Sequence, residues 1–338
     1  MIIDFRSDTV TRPTKNMLDA MQNAEVGDDV FGEDPSVNAL EKFAAGLFEM
    51  ESAIYCPSGT MTNQIAIKCH TRPTEEVICD RQSHIYQYEG GGIAFNAGCQ
   101  VKLIEGDRGR INATQIEQAI NPDDIHKAKT TLVSLENTSN RGGGSCYDIQ
   151  EIEHIRQVCD SNDLRLHLDG ARLFNALVAR KEKPAVYGNL FDSISICLSK
   201  SLGAPVGSLL LGKKDFIQKA RRFRKVFGGG MRQAGFIAAA GLYALKNNVE
   251  RLEADHEHAK YIAGLLQNAG FVNNMLPVET NIIIFEVAPS MKAKDITEKL
   301  KEKNILAIPI SEYQIRFVFH LDITPEMVDY TAEVIQHL

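Results

Sequence analysis

The chain has 338 residues, 44% of them hydrophobic and 24% charged, with a formal net charge of −7 at pH 7. That balance excludes a disordered chain, and an acidic total without a long basic run excludes a nucleic-acid footprint. No apolar run is long enough to span a membrane, and the length suits two unequal domains.

The cysteines, Cys56, Cys69, Cys79, Cys99, Cys146, Cys159 and Cys197, form no Cys-x-x-Cys pair. They are expected as reduced core thiols, with no metal site among them. His256 and His258 stand two apart on a predicted helix and face different sides, so they are not expected to share a metal. Arg221, Arg222, Arg224 and Lys225 read as the polar face of a helix. The start, Met1-Ile-Ile-Asp-Phe-Arg, is charged at once and lacks the pattern of a signal peptide, so a soluble cytoplasmic protein is expected.

Residues 1–15 are rich in hydrogen-bonding side chains and read as an extended arm. From Ser36, taken as an N-cap, Val37, Leu40, Phe43, Ala44, Leu47 and Phe48 recur at helical spacing. A strand at 52–56 leads into Pro57-Ser58-Gly59-Thr60 and a helix through Lys68. The open N–H groups of such a helix start attract an anion; Gly59 allows close approach and Thr60 adds a hydroxyl. The turn extends to neither a dinucleotide fingerprint nor a Walker sequence, so it predicts a small phosphate ester.

A short strand at 77–80 precedes His84, which stands beside aromatic residues and Gly90-Gly-Gly. Two readings stay open for it: a ring over a planar ligand, or a core histidine beside a turn. Strands follow at 99–105 and 131–136, then a glycine-rich loop from Asn137 and a crossover helix over 149–161. Leu164, Leu166 and Leu168 alternate with Arg165, His167 and Asp169, so a strand delivers Asp169 to its end, with Arg172 just beyond. The β-prone run Ile194, Ile196, Leu198 stops at Ser199-Lys200. A lysine at the end of a buried strand loses hydration, which favours the free amine and suits imine chemistry.

Alternating strands and helices predict an α/β, mostly parallel, doubly wound sheet, whose ligands gather at the carboxyl ends of strands. Gly59, Thr60, His84, Asp169 and Lys200 all fall there. Beyond Lys214, helices at 216–227, 231–247 and 249–269 precede a smaller α/β part with strands at 281–287 and 314–320 and helices at 293–303 and 325–337. The division reads as an arm (1–15), a large cofactor-binding domain (16–247) and a small C-terminal domain (248–338).

An imine-forming lysine, a strand-end carboxylate and a phosphate-sized helix N-terminus together describe a pyridoxal 5'-phosphate site. The lysine carries the aldehyde, the carboxylate keeps the ring nitrogen protonated, and arginines suit an amino-acid carboxylate. With those residues in view, the chain resembles the low-specificity L-threonine aldolases of the β-eliminating lyase superfamily, of pyridoxal phosphate fold type I. The matching blocks are Asp4-Phe-Arg-Ser-Asp-Thr-Val-Thr, Gly27-Asp-Asp-Val-Phe-Gly-Glu-Asp-Pro, Leu135-Glu-Asn-Thr, His167-Leu-Asp-Gly-Ala-Arg-Leu-Phe-Asn-Ala, Cys197-Leu-Ser-Lys and Gly228-Gly-Gly-Met-Arg-Gln-Ala-Gly.

The resemblance implies retro-aldol cleavage of L-threonine or L-allo-threonine to glycine and an aldehyde. It implies Lys200 as the Schiff-base lysine, Asp169 as the ring-nitrogen partner and His84 as the imidazole stacked on the ring. Gly59 and Thr60 would hold the phosphate, with Arg232 from a neighbouring subunit; Ser7, Arg172 and Arg316 would bind the substrate carboxylate. His84 and His126, the latter from across an interface, would lie near the substrate hydroxyl of a homotetramer. The chain departs from the family pattern at Ser139, where histidine is common, at Phe31 for tyrosine and at Ser201 for glycine. The alternatives are another pyridoxal phosphate lyase that eliminates a β-substituent, and a non-catalytic interaction protein that keeps the fold.

Overall fold

The computed structural model describes residues 2–338. It opens with a two-residue strand, β1 (Ile3–Asp4), and continues through β2 (Ser52–Cys56), β3 (Glu76–Asp80), β4 (Gln100–Ile104), β5 (Thr130–Glu136), β6 (Arg165–Gly170), β7 (Ser193–Cys197) and β8 (Ser208–Gly212). The last seven form one sheet in the order β2-β8-β7-β6-β5-β3-β4. Strands β4, β3, β5, β6 and β7 run parallel, while β8 lies antiparallel between β7 and β2. A ten-residue loop returns β7 to β8 without a helix, too short for a parallel crossover.

Period-two alternation decides what each face of this sheet carries. On one face Tyr55, Leu166, Leu168, Ile194, Ile196 and Leu209 join the main apolar core. On the other, the polar partners of the alternation meet helix Gly59–His70: Thr62 Oγ1 lies 2.6 Å from Ser195 Oγ, and Asn63 lies against both His167 and Asp169. This helix is therefore seated by hydrogen bonds as well as by the packing of Ile65 and Ala66.

Strands β9 (Val272–Met275), β10 (Ile282–Val287), β12 (Ile308–Pro309) and β13 (Gln314–Val318) make a second, antiparallel sheet in the order β12-β13-β10-β9, and β11 (Ile305–Leu306) pairs in parallel with β1. The N-terminal arm thus lies on the C-terminal sheet. Phe5 stacks on Phe317 at 5.0 Å, and His320 Nε2 reaches the Asp4 carbonyl, 316 positions away, at 2.7 Å.

Some local expectations change. The arm is not extended throughout: Ser7 caps a short turn of 3-10 helix at Asp8–Val10. Ser36 is not a cap, because its hydroxyl donates to the Glu25 carbonyl. Asp34 takes that place, accepting from Val37 N at 3.0 Å with Pro35 in the first turn, and the same carboxylate accepts from Gly235 N at 2.9 Å. That second bond starts the next long helix at Gly235, four residues later than its apolar pattern suggests. All seven cysteines are free and buried, and among the described residues no helix is long and apolar enough to cross a membrane.

Candidate active site

The carboxyl ends of β3, β5, β6 and β7 converge on the start of helix Gly59–His70. Ser58 caps that helix, accepting from Met61 N with its hydroxyl and from Thr62 N with its carbonyl, so the amides of Gly59 and Thr60 form the open end. Gly59 is required by close packing, since a Cβ there would stand 2.6 Å from Cys197 Sγ.

Asp169, 2% exposed, sits on β6 with each oxygen engaged: Asn63 Nδ2 donates to Oδ2 at 2.9 Å and Ala171 N to Oδ1 at 3.1 Å. His84 begins a one-turn helix after β3. Its backbone N–H donates to Glu136 Oε2 at 2.8 Å, and its Nδ1 lies 3.1 Å from Glu89 Oε1. Asn63 and Gln64 also donate to Glu89, at 2.9 and 2.6 Å. Ligand atoms of His84, Glu89 and Asp169 all lie within 4.8 Å of one another. Amide N–H groups of Asn63 and Gln64 already donate to those carboxylates.

Burial works against a charged His84, but the bond to Glu89 and the charge of Asp169 outweigh it and raise its pKa above the ordinary value. Burial, and after it the Asp169 charge, pushes Glu136 up to about 7.

A second cluster forms where the arm meets β6. Arg172 grips the buried Asp8 with two bonds, Nε to Oδ2 at 2.8 Å and Nη2 to Oδ1 at 2.7 Å, and Ser201 Oγ adds a third at 2.7 Å. Burial opposes ionisation of Asp8, yet Arg172, with Lys200 and Ser201 behind it, holds its carboxyl well below the usual range. Arg316 reaches in from β13, donating to Asn140 Oδ1 at 2.8 Å and to the Arg6 carbonyl at 2.9 Å, while its buried Nε has no partner. Burial and the nearby Arg172 bring Arg316 down to about 10.

The expected roles are redistributed accordingly. One edge of Arg172 is already spent on Asp8, so Arg316 is the freer guanidinium for an incoming carboxylate. Ser7 lies between Arg6 and Asp8, its hydroxyl accepting from Thr9 N at 3.2 Å. Lys200 is half-buried on the loop after β7 and its charge acts on both Asp8 and His84. The full loss of hydration expected for it is not found, because the loop turns at Gly203, whose N–H bonds the Lys200 carbonyl at 2.8 Å, before any cover is built. Thr60 is exposed.

His126 and Arg232 are not brought to this cluster within the chain. His126 is an exposed side chain beside Asp124, at 2.9 Å, and Arg232 pairs at the surface with Asp28, also at 2.9 Å. Asn63, Glu89, Glu136 and Asp8 are the residues that sequence reasoning missed. Asn63 follows Gly59 by four positions and so shares its helix face, a signal that was available.

Three histidines, His167 and His256 buried and His70 partly buried, have lowered pKa values, His70 at about 3 and the other two at about 4, loss of hydration being the leading cause for each. Between the unfolded pKa near 6.5 and these values the unfolded chain binds more protons, so stability falls as pH falls. Glu136, raised, works the other way between its ordinary value and about 7. His84, Glu41 and Asp255, also raised, act in the same sense as Glu136, and the three lowered histidines are expected to outweigh them, so stability falls from about pH 7.5 to about pH 5. Urea midpoints across that range check it, and a flat profile contradicts it.

Known proteins carry the same arrangement of chain. The family model described as beta-eliminating lyase matches residues 4–290. The low specificity L-threonine aldolase of Escherichia coli (strain K12) is 44% identical over 99% of this chain and 98% of its own. Low-specificity L-threonine aldolase 1 of Arabidopsis thaliana is 41% identical over 99% of this chain and 95% of its own. Among solved structures, a threonine aldolase of Leishmania major superposes with a TM-score of 0.86 at 24% identity, covering 99% of each chain, a likeness of fold. A family match over most of the length, with relatives this similar from end to end, makes this chain a member of the beta-eliminating lyase family.

Proposed function

We propose that the protein is a pyridoxal 5'-phosphate-dependent lyase that cleaves L-threonine, L-allo-threonine and related β-hydroxy-α-amino acids to glycine and an aldehyde. The observation that carries this reading is the meeting of Lys200, His84 and Asp169 beside the open end of helix Gly59–His70. Relatives named for threonine cleavage support the substrate class.

The donor set fits the cofactor: a half-buried amine for its aldehyde, a buried carboxylate whose oxygens already accept hydrogen bonds for its ring nitrogen, and an open helix N-terminus for its phosphate. Lys200 would hold it covalently, Asp169 would face the ring nitrogen, His84 would lie on the ring, and Gly59 and Thr60 would take the phosphate, with Arg232 of a second subunit. Bound there, the group supplies an electron sink for cleavage at the α-carbon.

The chain's own residues do the rest. Arg316 offers the substrate carboxylate a buried, unpaired Nε, beside Ser7 and the remaining edge of Arg172. Glu89 engages His84 Nδ1, which leaves Nε2 to exchange a proton with the substrate's β-hydroxyl. His126, contributed by a second subunit, would serve the same hydroxyl. The exposed apolar side chains Phe31, Val226 and Ile125 support a homotetramer, since Ile125 adjoins His126 and Phe31 lies near the Asp28–Arg232 pair. The two main sheets support a division into an arm (1–15), a large domain (16–247) and a small domain (248–338).

Incubating the cofactor-loaded protein with L-threonine and L-allo-threonine tests the reading. Glycine and acetaldehyde in equal amounts are expected. Ammonia with a keto acid would replace the reaction by β-elimination, and failure to take up pyridoxal 5'-phosphate would remove the reading altogether.

A further inference from the structure

Helix Gly59–His70 carries a buried residue that the reaction as proposed does not use. Asn63, 2% exposed, gives one amide hydrogen to Asp169 Oδ2 and the other to Glu89 Oε1, each at 2.9 Å. With both hydrogens spent, its Oδ1 can only accept, and the atom facing it is His167 Nε2 at 3.2 Å. That contact requires the Nε2–H tautomer of His167. His167 Nδ1 must then accept, and Ser193 Oγ at 2.8 Å is its donor. Ser193 has a single hydrogen, so His70 Nε2, 2.7 Å from Ser193 Oγ, donates in turn.

The bridging hydrogens of the row His70, Ser193, His167, Asn63 therefore all run towards Asp169, and the second Asn63 hydrogen goes to Glu89. Aligned hydrogen bonds polarise one another, which makes the last donor in the row the stronger. A carboxamide does not pass protons along, so the row orients and does not conduct. Burial keeps both imidazoles neutral, so the row adds dipoles to the site and no charge.

We propose that Asn63 and His167 are positioning residues for Asp169. Together they fix the orientation of the Asp169 carboxylate for a cationic ring nitrogen, and Asn63 ties Glu89, and through it His84, to the same frame. The proposal rests on the cofactor reading above and adds to it residues that touch neither cofactor nor substrate. A mere space-filler between helix and sheet would need shape alone, whereas this row needs one tautomer and one donor.

Nitrogen-15 spectra of histidine-labelled apoenzyme at neutral pH read the tautomer in the unmutated chain. Neutral His167 carrying Nε2–H is expected, and an imidazolium or an Nδ1–H form overturns the row. Next, pyridoxal 5'-phosphate is titrated into apoenzyme variants, with urea midpoints of the apo forms measured in parallel. His167→Phe keeps a ring and loses the donor, and should weaken cofactor binding about tenfold and shift the absorbance of the bound cofactor. His167→Gln keeps an N–H donor and should recover most of the affinity. Unchanged affinity in His167→Phe, or equal losses in the two variants, overturns the proposal while threonine cleavage by the wild type stands. Absence of cofactor binding and aldehyde release in the wild type would instead sink the parent reading, and this proposal with it.

Discussion

Replacing Lys200 by alanine should lower aldehyde release from L-threonine on the order of 10⁴-fold or more, with little change in the urea midpoint. Nucleophilic groups that form the covalent link to a reacting partner carry effects of that size when removed. The fold should tolerate the change, because Lys200 is half-buried on a loop whose turn is made by backbone atoms, the Gly203 N–H and the Lys200 carbonyl. Lys200→Arg separates nucleophile from charge. It keeps a cation beside Asp8 and His84 but offers no amine for an imine, so it should be as inactive as alanine. If Lys200→Arg retained more than about a hundredth of the wild-type rate, the lysine would be acting through its charge, and the proposed chemistry would be wrong.

The largest stability effect is expected from Asp8→Ala. Asp8 is fully buried, and its loss strands the Arg172 guanidinium, 7% exposed, without its two carboxylate bonds, along with the Ser201 hydroxyl. Breaking a buried ion pair by removing one member costs about 3–5 kcal/mol, most of it the penalty of the remaining unpaired charge. Asp8→Asn keeps the shape and one acceptor oxygen but turns an amide NH2 towards one of the Arg172 donors, so it should recover only part of the loss. Urea denaturation reads both, and a loss below about 1 kcal/mol in Asp8→Ala would show that Arg172 finds another partner. The pair has a pH signature as well. The carboxyl is held below its unfolded value, so its stabilisation is complete above the unfolded pKa and fades as pH falls below it.

The parts of this site that lay in local pattern were legible. The alternation of Leu164, Leu166 and Leu168 with polar residues put Asp169 on a strand end, and the break after Leu198 put Lys200 at the end of a strand, which in the structure stops three residues earlier at Cys197, because period two and glycine punctuation are properties of neighbouring residues. Long-range pairs left no such trace. Nothing near Arg172 announces Asp8, 164 positions away, so Arg172 looked free to bind substrate when half of it is engaged. Ser36 lost its capping role to Asp34, which stands just before Pro35 and was a local signal passed over; only its further bond to the Gly235 amide, 201 positions on, left no local trace. His126 and Arg232 became candidates by resemblance, and a single chain does not carry them into the cluster.

The pairing of β1 with β11 also sets an order of events in biosynthesis. Asp4 is made 316 positions before the His320 ring that bonds it, and the strand that seats this arm also follows the whole large sheet. Domains usually fold from the N-terminus as they emerge. Here the arm has to wait until the later strand β11 has been made. Such closure of distant segments slows folding and lengthens the time in which an intermediate can aggregate. A nascent chain arrested before Ile305 would hold its large sheet while Asp8 remained unplaced, so the strand ends around Asp169 would be in place before the Asp8–Arg172 pair beside them.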